Sequence, residues 1–200
     1  MREVAAAIIA GGPARRLGGV AKPLLEVGGQ AVADRQLAVL RPLFARVFVV
    51  ANDPAPWAGR GVEVAADGVV GAGPLAGLAA ALAAAGGAAA VVCVAGDLPF
   101  LSPALLAALR DRAPEARALA PRRAGRAEPL CARYATDLRI LVEARLQTGR
   151  FALHELLEAT DTAWLDDAGL APLDPEGLSF VNLNTPDDLR RAEELARRAP

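Results

Sequence analysis

The sequence predicts an α/β fold in which helices cover both faces of a mostly parallel central sheet. Several short apolar runs are continuous instead of alternating, as expected for strands that are buried on both faces. Helical patterns lie between these runs, and this alternation of strand and helix favours a parallel sheet. The chain of 200 residues has no internal repeat or linker, so we expect a single domain over residues 1–200.

Strands are predicted at the apolar runs, and helices at the periodic stretches between them. The predicted strands are Val4–Ala10, Arg46–Ala51, Val62–Ala65, Ala89–Ala95 and Phe180–Leu183. The predicted helices are Ala33–Leu43, Pro74–Ala85, Pro103–Arg112, Thr136–Leu146, Phe151–Glu158 and Pro186–Arg198. Ser102 and Thr185 each place a hydroxyl cap before a proline at the first helical position. The basic, glycine-containing stretch Arg122–Glu128 predicts a loop.

Composition excludes several classes of protein. The hydrophobic fraction of 54% excludes general disorder, and a net charge of −1 provides no overall field for binding nucleic acid or a membrane surface. Gly68 to Gly96 carries no charge, but its proline and glycines divide it into a turn, a helix and a strand, so we expect no membrane span. Cys93 and Cys131 stand alone among apolar residues, which predicts two buried thiols in the reducing cytoplasm.

The residues that follow the predicted strands are the first candidates for a functional site. In open sheets of this class, ligands bind beyond the carboxyl ends of the strands. The residues at these positions are Gly11 and Gly12, Asn52, Asp67 and Asp97.

A basic, glycine-rich loop follows the first strand. The stretch Gly11–Gly19 holds four glycines together with Arg15 and Arg16, and Lys22 comes soon after it. Glycines let backbone N–H groups approach a phosphate, and arginine offers it a planar fork. Lys22 is the only lysine against 21 arginines, which favours a place where a compact ammonium is needed. Because two residues separate the last glycine from the lysine, this is not a Walker loop, and the pattern favours nucleotidyl transfer.

Two aspartates could serve a nucleotide-bound metal. Asp97 ends a predicted strand beside Gly96, which is a common place for a carboxylate that holds Mg²⁺. A capping or loop aspartate is the alternative. Asp67 could be a second carboxylate near the metal, a hydrogen-bond acceptor for a substrate, or a plain turn residue before Gly68.

Taken together, these segments resemble the molybdenum cofactor guanylyltransferases. The first loop is shared by many nucleotidyltransferases. The segments Gly73–Gly77 and Asn182–Leu189 occur together in a much smaller group of proteins. The matching segments are Ile9–Gly12, Arg15–Gly19, Lys22, Gly73–Gly77, Gly96–Pro99, Glu128–Leu130 and Asn182–Leu189. The chain departs from the family at Ala21, where aspartate is usual before the lysine, and this leaves the acceptor substrate in doubt.

The resemblance implies a Rossmann-like three-layer fold and the transfer of GMP from GTP to the terminal phosphate of molybdopterin, with release of pyrophosphate. It implies Lys22, Arg16 and Asp97 as catalytic residues, with Asp97 as the Mg²⁺ ligand. Asn182 and Asn184, two apart and therefore on one sheet face, are implied as contacts of the pterin substrate. The implied GTP contacts are Ile9, Ala10, Gly11, Gly12, Lys22, Asn52, Asp67 and Asp97. Transient contacts with proteins that deliver molybdopterin or receive the product are also implied.

Three other functions stay open on the sequence. The stretch Gly71–Ala76 matches the glycine pattern of dinucleotide-binding proteins, although Pro74 lies inside it. A second alternative is a nucleotidyltransferase for another pair of substrates, either CTP with molybdopterin or a sugar phosphate. The third is a nucleotide sensor that binds GTP without transferring GMP.

Overall fold

A central sheet with helices on both faces organises the chain. The structure, a computed structural model, describes residues 3–11, 21–66 and 73–198. The strands are β1 (Val4–Ile9), β2 (Glu26–Val27), β3 (Gln30–Ala31), β4 (Val47–Val50), β5 (Glu63–Ala65), β6 (Ala90–Ala95), β7 (Ala118–Arg123), β8 (Arg126–Ala127), β9 (Cys131–Ala135) and β10 (Thr162–Leu165). The helices are α1 (Val32–Leu40), α2 (Pro74–Ala83), α3 (Pro103–Asp111), α4 (Arg139–Gln147), α5 (Leu153–Glu158), α6 (Asp167–Leu170) and α7 (Pro186–Arg198).

The sheet is mostly parallel, which confirms the predicted fold class. Its strand order is β10-β7-β9-β6-β1-β4-β5, and β8 pairs with β7 at one end. The pairs β1–β4, β1–β6, β4–β5 and β7–β10 are parallel, whereas β9 runs antiparallel to β6 and β7. The strands β2 and β3 form a separate hairpin. Because β1 and β6 are parallel neighbours, the residues that follow them meet at one rim of the sheet.

Alternate residues of each central strand supply two hydrophobic cores. In β1, Ala5 and Ala7 face the core beneath α2, α4 and α5, whereas Ala6 and Ile8 face the core beneath α1, α3 and α6. The alternation explains why β1 has a continuous apolar sequence, since both of its faces are covered.

The two cysteines lie on opposite faces of this sheet. Cys93 belongs to the core beneath α2, and Cys131 belongs to the core beneath α3. Both are free and buried, which confirms the prediction of two buried thiols. Burial raises the pKa of the Cys131 thiol to about 12, and it raises the pKa of Cys93 further.

The uncharged stretch from Gly68 to Gly96 contains α2 and β6 in its described part, as predicted. Within the residues that the structure describes, the helices all lack the length and apolar character needed to cross a bilayer.

The predicted strand at Phe180–Leu183 is wrong. A 3-10 turn covers Leu178–Phe180, and the residues after it are irregular. The N–H of Leu183 donates to the carbonyl of Asp97 at 3.1 Å, but residues 181–184 form no strand. The apolar residues of this segment instead enter separate clusters: Phe180 packs against the core beneath α3, and Leu183 packs beneath α7.

The loop predicted at Arg122–Glu128 is also wrong, because this stretch forms the β7–β8 hairpin. Gly125, with φ of 77°, supplies the left-handed residue of its turn. The arginines that suggested a loop cover aromatic rings: the Arg122 guanidinium carbon lies 3.6 Å from the centroid of Trp164, and that of Arg123 lies 4.6 Å from the centroid of Phe180.

Helix α2 approaches the end of β1 closely because residue 77 is glycine. A Cβ placed on Gly77 would lie 2.5 Å from Cγ2 of Ile9, well inside van der Waals contact. This close packing brings the first turn of α2 to the same rim of the sheet as Gly11.

We expect Gly77→Ala to destabilise the fold, although alanine favours a helix by about 1 kcal/mol. The added methyl group overpacks a buried site against a β-branched side chain, at a cost of about 1–3 kcal/mol. Urea unfolding of Gly77→Ala in the wild-type and Ile9→Ala backgrounds tests this, because Ile9→Ala removes the obstructing methyl group. Equal effects of Gly77→Ala in both backgrounds would contradict the explanation.

Candidate active site

The side chain of Lys22 joins two residues that are distant in sequence. Its Nζ donates to Oδ2 of Asp97 at 2.6 Å and to Oδ1 of Asn184 at 2.7 Å. The side chains of Lys22 and Asp97 are 25% and 17% exposed, so the pair is sheltered but open to a ligand. The structure thus brings together three of the residues that the sequence singled out.

Asp97 owes its position to the close approach of β6 and β1. The N–H of Gly96 donates to the carbonyl of Ile9 at 2.9 Å, and a Cβ on Gly96 would lie 3.0 Å from that of Ala10. The N–H of Ala10 donates to the carbonyl of Val50 at 2.9 Å. The N–H of Ala10 is therefore engaged within the sheet, and the exposed Gly11 follows at the rim.

Asn184 is held beside Lys22 by a docked segment. The N–H of Leu183 donates to the carbonyl of Asp97 at 3.1 Å. The side chain of Leu183 is fully buried, in a cluster with Val27 and Ala192 that joins the β2–β3 hairpin to α7. One buried leucine therefore fixes the main chain on which Asn184 is carried.

A reciprocal cap at the start of α7 holds this segment further. The N–H groups of Asn184 and Thr185 donate to Oδ2 of Asp188 at 3.0 and 2.8 Å, and the N–H of Asp188 donates to Oγ1 of Thr185 at 3.2 Å. The hydrogen bond from the Asn184 N–H, followed by those from Thr185, holds the pKa of Asp188 below its usual range. The role of Asp188 in this cap was not predicted from the sequence, although a hydroxyl residue three positions before an acid signals such a cap.

We expect Asp188→Ala to cost about 1 kcal/mol of stability at neutral pH through loss of this cap. Because the pKa of Asp188 is lower in the folded chain, its contribution is present above the unfolded pKa and disappears as pH falls through the folded one. The difference in unfolding free energy between wild type and variant should therefore shrink in acid. A difference that stays constant from pH 7 to pH 2 would contradict this.

Of the remaining predicted site residues, the structure describes some and not others. Asn182 is exposed and lines, with Asn184, a pocket of about 510 Å³; the expectation that both lie on a sheet face is wrong, because no strand forms there. Asn52 is exposed beyond β4, the neighbour of β1. Gly12, Arg16 and Asp67 lie outside the described residues.

The chemistry around Asp97 fits a divalent ion that arrives with a substrate. Across residues 3–11, 21–66 and 73–198, no three His, Cys, Asp or Glu side chains cluster closely enough to hold a metal ion. Mg²⁺ commonly takes one or two carboxylates and completes its shell with phosphate oxygens and water. A single sheltered carboxylate beside an ammonium is compatible with that mode of binding.

Known proteins are similar to this chain along nearly its whole length. Residues 6–163 match the MobA-like NTP transferase domain. A molybdenum cofactor guanylyltransferase from Mesorhizobium japonicum is 36% identical, with 97% of this chain and 96% of that protein aligned. A probable molybdenum cofactor guanylyltransferase from Pelotomaculum thermopropionicum is 31% identical, with 98% and 95% aligned.

A solved structure is similar as well. The crystal structure of molybdopterin-guanine dinucleotide biosynthesis protein A from Archaeoglobus fulgidus has a TM-score of 0.84 and 30% identity, covering 96% of this chain and 98% of that one. The chain is therefore a nucleotidyltransferase and belongs to the MobA-like NTP transferase family.

Proposed function

We propose that the protein transfers GMP from GTP to the terminal phosphate of molybdopterin and releases pyrophosphate. Its similarity to molybdenum cofactor guanylyltransferases supports the choice of substrates. The observation that carries the proposal is the position of the Lys22 Nζ, which lies between Asp97 and Asn184 at the rim of the sheet.

The Lys22 ammonium has the capacity to bind a phosphate in this position. It has three N–H groups, and two of them donate hydrogen bonds to Asp97 and Asn184. The third can donate to a phosphate oxygen. At an effective dielectric constant near 20, a cation about 4 Å from a phosphate charge gains roughly 4 kcal/mol before desolvation. Arg16, six residues before Lys22, is proposed to act with it on the β- and γ-phosphates.

The reaction needs positioning and charge neutralisation more than proton transfer. A terminal phosphate oxygen of the acceptor attacks the α-phosphorus in line; the new P–O bond forms as the bond to the pyrophosphate oxygen breaks. Because the attacking phosphate is already an anion, no general base is required. Lys22 and Arg16 stabilise the negative charge that builds up on the leaving pyrophosphate.

Asp97 is proposed to hold Mg²⁺. The hydrogen bond from Lys22 occupies Oδ2 of Asp97, so we propose Oδ1 as the ligand atom. A Mg²⁺ ion held there would supply positive charge that offsets the charge of the phosphates. Ile9, Ala10, Gly11, Gly12, Asn52 and Asp67 are proposed as further GTP contacts, and Asn182 and Asn184 as acceptor contacts.

Pyrophosphate release tests the function directly. We expect release with GTP and Mg²⁺ only when molybdopterin is present, and no release when Mg²⁺ is removed with a chelator. Faster release with CTP, or with a sugar phosphate as acceptor, would contradict the assigned substrates. Tight GTP binding without any release would instead identify a nucleotide sensor.

The dinucleotide-binding alternative has less support. The family assignment covers its glycine motif, and the described part of that motif, Gly73–Ala76, forms the cap and first turn of α2. A fluorescence titration with NADH, set beside GTP–Mg²⁺ binding, separates the two functions.

A further inference from the structure

The pocket that adjoins Lys22 has the features of a second binding site. Its volume of about 510 Å³ lies within the range for small-molecule sites. Asn184 belongs both to this pocket and to the Lys22 cluster. Since its Oδ1 accepts from Lys22, its amide NH₂ group is turned away from the ammonium and is available as a donor. A molecule bound in the pocket could therefore contact Asn184 next to Lys22.

Arg123 is held in place on one wall of this pocket. Its guanidinium carbon lies 4.6 Å from the centroid of the Phe180 ring. A Cβ on Gly177 would lie 2.7 Å from Nη2 of Arg123, so glycine is needed there both for this approach and for its φ of 66°. The carboxylate of Glu128 lies 4.0 Å from Nη1. The planar fork is thus positioned before any ligand arrives.

A second arginine lines the same pocket. Arg191 lines it from α7, and its side chain is exposed. Two carboxylates, Glu176 and Asp188, also line the pocket. Oδ2 of Asp188 accepts both N–H groups of the helix cap, and among the described residues neither Glu176 nor Asp188 forms an ion pair with Arg123 or Arg191.

We propose that Arg123 and Arg191 bind a second anionic group of the acceptor, beyond its reacting phosphate. This inference rests on the proposed function, because it assumes an elongated acceptor that extends from Lys22 past Asn184. An arginine fork suits a bidentate anionic partner better than an ammonium does. The pocket then selects acceptors that carry such a second anionic group.

Equilibrium binding of molybdopterin without GTP tests the pocket independently of turnover. We expect Arg123→Ala and Arg191→Ala each to weaken binding by roughly 10- to 100-fold, the loss typical of one charge-assisted hydrogen bond. The affinity for GTP–Mg²⁺ should stay within about twofold. Arg123→Lys should recover part of the loss, because it keeps the charge without the fork.

Two surface arginines provide matched controls. Arg126 lies on the same hairpin as Arg123, and Arg190, which pairs with Asp187, precedes Arg191 in α7; we expect Arg126→Ala and Arg190→Ala to bind molybdopterin like the wild type. Wild-type affinity in both test variants would overturn the inference, as would a wild type that binds no molybdopterin. Acceptor binding that depends on both arginines but yields no pyrophosphate would overturn the proposed function and leave this inference standing.

Discussion

Asp97→Ala is expected to lower kcat for guanylyl transfer by about 10³-fold or more, equal to roughly 4 kcal/mol of barrier. The variant loses both the proposed Mg²⁺ ligand and the anion that orients Lys22 from 2.6 Å. Lys22 keeps Asn184 as a partner and is 25% exposed, so water can solvate the ammonium. We therefore expect the melting temperature to change little while steady-state pyrophosphate release is nearly lost.

Asp97→Asn tests the charge of this side chain while nearly keeping its shape. The amide keeps an oxygen that can accept from Lys22, but it removes the charge that a divalent ion requires, so this variant should be almost as inactive. Asp137→Asn is the matched control. Asp137 is an exposed aspartate in the 3-10 turn before α4, and it pairs with Arg117 at 3.4 Å. Activity of Asp97→Asn within tenfold of the wild type would exclude Asp97 as the metal ligand.

Lys22→Ala is expected to lower kcat by about 10²- to 10³-fold, the range for removing one group that stabilises charge in the transition state. Lys22→Arg should recover only part of this loss, since a planar guanidinium does not fit where one ammonium reaches Asp97, Asn184 and a phosphate. Single-turnover measurements with saturating GTP separate this loss from weaker nucleotide binding.

The sequence offers an independent check on Lys22. Apart from the terminal amine, it provides the only amine in the chain, so an amine-specific reagent has few targets. We expect such a reagent to inactivate the wild type and GTP–Mg²⁺ to protect it, whereas Arg139→Ala, a surface variant that removes an ion pair with Glu143, should behave like the wild type. Full activity after complete modification of Lys22 would contradict its role.

The parallel half of the sheet could be predicted because its strands are buried on both faces. Continuous apolar runs then identify β1, β4 and β6, and Asp97 follows as a polar residue at a buried strand end. The bounds of α7 were predicted at Pro186–Arg198 because a hydroxyl cap and a proline precede it. The position of Asp97, which pairs with Lys22, was therefore predictable from strand ends.

The antiparallel half was harder to predict because its strands do not look apolar. In β7, Pro121 and two arginines interrupt the apolar pattern, and the arginines are accommodated by stacking on Trp164 and Phe180. Such long-range pairs leave no local periodicity. For the same reason the sequence singled out Asn182 and Asn184 but not Arg123 of β7, one of the two arginines that line their pocket.

The buried thiols on opposite faces of the sheet can report when each helical layer separates from it. A disulfide reagent can react with Cys93 only after the layer of α2 has separated from the sheet, and with Cys131 only after the layer of α3 has. Comparing the exchange rates of single-cysteine variants would show whether the two layers detach together or one before the other, with no probe added to the surface.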